Sequence, residues 1–266
     1  MTSVKFIVSF SFVLSLFSCF QLRAQEQNEQ MAFIEGGSFT PLYGAKNQSV
    51  DVDDFYMDIY PVTNADFLEF VVENPKWRAS QVPAIFAESK YLSHWRSDLE
   101  IGEEIMNTQA VTMISWFAAK NYCEARGKRL PTVDEWEYVA MADQIVKDAR
   151  EKKSYNQLIL SWYEEPQSFK KPIGSTFKNY WGIYDLHGLV WEWTADFNSI
   201  LITGESRKDV DKDIKQFCGS AAVTATDLMN YAAFMRYAFR GSLEANYTIR
   251  NQGFRCVKDV SLEPKK

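Results

Sequence analysis

The chain has 266 residues, 46% of them hydrophobic and 15% aromatic, with a formal charge of −6 at neutral pH. A chain of this size builds one large core, burying roughly 70–75% of its unfolded surface, and its acidic balance argues against nucleic acid or an anionic membrane surface as partner. Beyond the first residues no run approaches the roughly 20 apolar residues of a membrane-spanning helix, so no transmembrane segment is expected.

Residues 1–24 read as an export signal. Lys5 supplies positive charge, Phe6 to Phe17 form an apolar core, and Leu22-Arg23-Ala24 places a small residue at a cleavage site. That core is too short to cross a bilayer. Leu16-Phe17-Ser18-Cys19 also resembles a bacterial lipobox, in which Cys19 is acylated and becomes the mature N-terminus, although the bulky Phe17 departs from the pattern. Cleavage after Ala24 and a lipid anchor at Cys19 both stay open. Both export the protein, to the periplasm or as a membrane-anchored lipoprotein. Removing residues 1–24 takes away Lys5 and Arg23 but no acid, so the mature chain is more acidic still.

Residues 25–30 (QEQNEQ) lack apolar side chains and form a polar spacer. Met31-Ala32-Phe33-Ile34 predicts a first strand, with Gly36-Gly37-Ser38-Phe39 as the turn after it. Val50 to Ile59 alternates loosely, as one half-buried strand does. Thr63, followed three residues later by Asp66, opens a helix with Phe67, Leu68 and Val71 as its buried stripe. A second helix is predicted from Ser115 to Arg126 with Trp116, Ala119, Tyr122 and Cys123 inward, and Gly127 is placed to supply its left-handed cap. Pro131 prevents continuation. Thr132-Val133-Asp134-Glu135 is a capping box for a third helix, with Trp136, Val139 and Ala140 inward. Residues 143–171 are polar without a clean period and read as a helix end followed by loop. The rest reads as short strands and long turns, with no internal repeat and no second domain boundary.

Three segments carry the chemistry: Gly127 to Tyr138 (GKRLPTVDEWEY), Leu186 to Asp196 (LHGLVWEWTAD) and Gly253-Phe254-Arg255-Cys256. In this order they resemble the formylglycine-generating enzyme family, also called the sulfatase-modifying factor family. The resemblance covers about Met31 to Val257. It implies an α+β fold, a single loop-rich domain over residues 31–260 related to the C-type lectin-like fold, with 261–266 as a tail.

Activities known in that family include copper-dependent oxidation of a substrate cysteine to formylglycine. Two thiolates between a Gly-Gly-Ser turn and the final Gly-Phe-Arg hold Cu(I), an ion suited to soft ligands. Here Cys218-Gly219-Ser220 stands at the turn, and Arg240 matches the family arginine. Counting back from Arg240 puts the cysteine positions at Asp227 and Ala232, and no cysteine lies between Cys218 and Cys256. Alanine cannot ligate metal and a carboxylate is a poor ligand for Cu(I), so copper is not expected. A two-histidine, one-carboxylate centre would need both His94 and His187, which lack ligand spacing. A surface His94 and a turn-packing His187 are expected instead.

The resemblance also implies calcium, held by the side chain of Asp185, the carbonyls of Gly188 and Val190, and Glu192, an all-oxygen set suited to a hard cation. Leu189 departs from the usual asparagine, and the alternative is that Glu192 pairs with an arginine beneath the tryptophans. Trp191, Ser220 and Arg240 match positions at the family's substrate cleft. If the segment is extended, Trp191 and Trp193 face one side and Glu192 the other. Cys123 and Cys256 match a family disulfide, whereas a second is absent with both of its positions replaced, by Ala140 and Tyr237. Cys218 is then unpaired, whether buried, cross-linked to another chain or reactive, and stands as the one possible catalytic thiol.

Three functions follow as expectations. The first is an exported binding or accessory module without copper oxidase activity, taking a peptide, protein or glycan. The second is an oxidoreductase that makes formylglycine or a related product through a different centre, with Cys218 as a candidate. The third is a structural envelope lipoprotein anchored through Cys19.

Overall fold

The computed structural model describes residues 30–42, 48–102, 107–198 and 228–260, with side chains described from 231 in the last segment. Cys19, Cys218, Ser220, Asp227 and the export signal lie outside the described residues.

The fold mixes helix and sheet, and its N- and C-terminal segments meet in one sheet. Strands β1 (Met31–Ile34) and β4 (Phe55–Asp58) pair antiparallel, and β4 pairs antiparallel with β7 (Val257–Asp259). Strands β2 (Gly37–Phe39) and β3 (Val50–Val52) form a separate antiparallel ribbon. Two expectations change here. Gly36–Phe39 is not simply a turn, because residues 37–39 form β2. The run from Val50 to Ile59 is not one strand, because it breaks at Asp53-Asp54 between two sheets. Gly36 packs tightly against this break: a Cβ there would lie 2.2 Å from the Val52 carbonyl oxygen, and its amide donates to Asp54 at 2.7 Å.

Three helices begin where their caps predict. In α1 (Asn64–Glu73) the Thr63 hydroxyl accepts from the Asp66 amide, and the Asp66 carboxylate accepts in return from the Thr63 amide. Thr132 and Glu135 make the same reciprocal pair at α3 (Val133–Ala140). Ser115 caps α2 (Trp116–Ala125), and Gly127 follows at φ +66°, the left-handed region that favours glycine. The inner stripe of α1 uses Phe70 beside Phe67 and Val71, with Leu68 at the core margin. Helices α1 and α2 meet through Phe67, Phe70 and Tyr122, and Phe67 and Tyr122 also contact Phe254 from the C-terminal segment. Beside them Cys123 and Cys256 form a disulfide with Cα atoms 5.6 Å apart, inside the range for an unstrained bridge.

Two further helices depart from the expectation of loop and turns. Helix α4 spans Lys153–Tyr163, within the stretch expected to be loop, and α5 spans Leu228–Gly241. Only Tyr155, Asn156 and Ile159 of α4 are buried, and no side chain caps its start, so it lacks both signals that marked the other three. Its apolar residues pack with Ala149 and with Ala232 of α5, which makes the helix legible only beside its partner. Strands β5 (Trp191–Glu192) and β6 (Gln252–Gly253) run parallel and bring the WEW and GFRC motifs together. No described helix is long and apolar enough to cross a membrane.

Candidate functional site

A cavity of about 350 Å³ opens where α3, α4, β5 and α5 converge. Its aromatic wall is ordered by stacking. The Trp191 ring lies between Phe239, 4.6 Å away between centroids, and Tyr163, 5.0 Å away. Rings at these separations and tilts gain about 0.5–1.5 kcal/mol per pair beyond the area they bury. Gly188 also lines the cavity at φ +95°, and a Cβ there would lie 2.7 Å from the Trp162 ring, so glycine lets α4 close against the turn.

Three successive residues, the two of β5 and Trp193 beyond it, then take three surroundings. Trp191 is half-buried at the cleft. Glu192 turns inward. Its carboxylate accepts from Arg255 Nε at 2.9 and 3.0 Å, from Arg255 Nη2 at 2.8 Å and from Trp136 Nε1 at 2.8 Å. Trp193 is enclosed in the core beside Phe197, donating to the Ile114 carbonyl at 3.1 Å.

Glu137 on α3 anchors the second ionic feature: it lines a small neighbouring cavity, while its partners Arg236 and Arg240 line the cleft. It accepts from Arg236 Nε at 2.9 Å and Nη2 at 2.6 Å, and from Arg240 Nη1 at 2.6 Å. Burial pushes the Glu137 pKa up, but the two guanidiniums outweigh it and hold the carboxyl at about 2. Arg236 Nη1 also donates to the Tyr163 hydroxyl at 3.2 Å. Burial raises the Tyr163 pKa, so this phenol stays neutral and adds no negative charge. The Arg240 guanidinium lies 4.7 Å from the Trp136 ring centroid, a cation–π distance.

Of the expected cleft residues, Trp191 and Arg240 come together on this wall, and Ser220 lies outside the described residues. Glu137, Arg236, Tyr163 and Phe239 belong to the site without having been singled out from sequence. Arg236 and Arg240 are spaced i, i+4, and they would have been legible as one helix face had α5 been recognised.

The residues expected to hold calcium do not fit the ion as arranged. Asp185 is fully enclosed, and its carboxylate accepts from the amides of Gly174 and Thr176, the latter at 2.9 Å. Both Glu192 oxygens are held by Arg255, so calcium would have to displace an enclosed guanidinium. Glu192 therefore adopts the arginine-paired alternative. Gly188 and Val190 lie between these two acids, with Val190 packed against Ala110 and Leu189.

Ala232 is buried in the apolar cluster of Ala149, Tyr155 and Ile159. Ala140 and Tyr237 line one small cavity. His187 packs edge-on to Trp136 and Tyr155 with Nε2 3.1 Å from the Ala140 carbonyl oxygen, and burial, aided by Arg236, lowers its pKa to about 3. His94 is half-buried rather than on the surface, and burial with Arg250 lowers its pKa to about 4. Both are held neutral. Among the described residues no three His, Cys, Asp or Glu side chains are grouped to hold a metal.

Residues 17–260 match the family described as the sulfatase-modifying factor enzyme 1-like domain. The chain is 28% identical to inactive C-alpha-formylglycine-generating enzyme 2 of Mus musculus, over 93% of this chain and 92% of that protein. It is also 28% identical to formylglycine-generating enzyme of Mus musculus, over 81% of this chain and 68% of that one. Chaperone protein LppX of Paenibacillus barcinonensis is 24% identical, over 87% and 90% respectively.

Proposed function

The chain belongs to the sulfatase-modifying factor enzyme 1-like family, and from that membership we propose that it is an exported binding or accessory module without copper oxidase activity. The observation that carries the proposal is Ala232. At one of the two positions where the resemblance places a copper thiolate stands a methyl group buried among apolar side chains, and Asp227 stands at the other. Alanine is no ligand, and a carboxylate is a poor one for Cu(I). Cys256 is engaged in the disulfide with Cys123, which leaves Cys218 as at most one soft ligand. A fold shared with active enzymes does not transfer their chemistry, which resides in the site.

What remains is a concave, aromatic-walled cleft with a few convergent polar groups, the usual form of a binding site. Two of the related proteins bear names that fit this reading, one called inactive and one called a chaperone. Export is supported by the signal-like segment and by the disulfide, since such bridges persist in oxidising compartments. The test is to give the purified protein Cu(I), oxygen and a cysteine-containing sulfatase peptide. Mass spectrometry is expected to find the peptide cysteine unchanged. Copper-dependent conversion to formylglycine would overturn the proposal.

A further inference from the structure

Among the described residues the charge on the cleft wall does not balance. Arg236 and Arg240 share the single carboxylate of Glu137, and the side chains of all three are less than a tenth exposed. The nearby Glu192 neutralises Arg255 and leaves nothing over. Asp134 and Asp196 pair with neither guanidinium among the described residues, Asp196 accepting instead from the Val133 amide at 2.7 Å. At the rim Glu165 is paired with Lys171, and Arg250 is exposed. A buried ion cluster is stable when its charges are matched, and a surplus guanidinium beside a cavity is completed by an anion. Arg240 has the placement for this: it lines the cavity, its Nη1 is held by Glu137, and its planar group is fixed over Trp136. A preset guanidinium receives an oxyanion with little loss of freedom.

We infer that the cleft recognises a ligand through one oxyanion docked on Arg240, with an apolar or aromatic part of the same ligand against Trp191 and Phe239. Carboxylates, sulfate esters and phosphate esters share this chemistry. The inference deepens the binding-module reading and rests on it.

The experiment uses two fluorescent probes with one ring system, 1-anilinonaphthalene-8-sulfonate and its uncharged analogue N-phenyl-1-naphthylamine, titrated into the full chain without its export signal. The sulfonate is expected to bind at least about tenfold more tightly, the ratio that 1.4 kcal/mol of charge recognition gives. Arg240→Gln is expected to bring the two affinities together, and Arg240→Lys to keep part of the preference. Because Arg240→Gln leaves Glu137 and Arg236 matched one to one, the variant should fold, and its melting curve checks that. The wild-type ratio decides the question even where a variant misfolds. Displacement of the sulfonate by N-acetylphenylalanine, phenyl sulfate or phenyl phosphate then separates the three oxyanion classes.

Equal binding of the two probes, or a preference that survives in folded Arg240→Gln, would overturn the inference while leaving the binding-module reading intact. Binding of neither probe would overturn both.

Discussion

Glu192 and Glu137 are both buried acids facing arginine, and their surroundings differ in one respect that changes what each can do. Arg255 is fully enclosed and returns every contact it is given. It donates to Glu192 and to the carbonyls of Asp58, Ile59 and Tyr184, tying β4, β5 and the C-terminal motif into a neutral knot. Glu137 meets two guanidiniums instead of one, and those two line the cavity that Glu192 also borders, where the Glu192 side chain is fully enclosed by its matched Arg255. A matched pair without solvent has nothing left to bind, whereas a mismatched cluster beside a cavity keeps a charge for a partner. The contrast makes the first a closed structural pair and the second the region where the proposed oxyanion would dock.

The most forceful way to break that contrast is to remove one side of the closed pair. Arg255→Met should cost about 3–5 kcal/mol in urea unfolding, because Glu192 is left charged and buried. A loss below about 1 kcal/mol would show that water reaches Glu192 and that the knot is not closed. Replacing both cysteines of the bridge, Cys123 and Cys256, by alanine should cost roughly 2–5 kcal/mol, since it opens a long loop. Cys256 adjoins Arg255, so this variant also measures how well the ion pair holds the C-terminal segment unaided.

Acid separates the two regions by titration. The pKa of Glu137 is about 2 against an ordinary 4.5, so its stabilisation is present above pH 4.5 and is lost as pH falls toward 2. His187, at about 3 against 6.5, contributes fully above pH 6.5 and loses its contribution as pH falls below that. Urea midpoints should therefore decline from about pH 6.5 downward, and Glu137→Gln should flatten the part below about 4.5. A decline unchanged in that variant would remove Glu137 from the account.

Arg240→Gln should shift stability by less than about 1.5 kcal/mol, far less than Arg255→Met, because it leaves a matched pair. A loss as large as that of Arg255→Met would make the two regions equivalent. The smallest expected effect is that of a chelator: with the carboxylates of Asp185 and Glu192 engaged by amides and by Arg255, it should leave the melting temperature unchanged. A fall in melting temperature reversed by calcium would show that the Glu192 pair opens to admit a cation.

Features closed over a few residues were legible in the chain. The two capping boxes span three residues each, and the glycine cap of α2 requires only local backbone freedom. The Cys123–Cys256 bridge was legible through resemblance, because motifs of a shared fold occupy shared places. Helices α4 and α5 were not, since Lys152 gives α4 no side-chain cap and the buried residues of one helix rest on the other. The split between β3 and β4 was hidden because the pattern from Val50 to Ile59 does not show which sheet each half joins.

The sequence by itself determined the family, the starts of three helices and the absence of any cysteine between Cys218 and Cys256, all properties of neighbouring residues or of residue identity. Tertiary structure alone decided that Glu192 takes Arg255, 63 residues away, and that Glu137 takes Arg236 and Arg240, 99 and 103 residues away. The physical reason is that a carboxylate's partner is set by which cations the packing brings within hydrogen-bond reach and how far it excludes water, neither of which is a property of the acid's own segment.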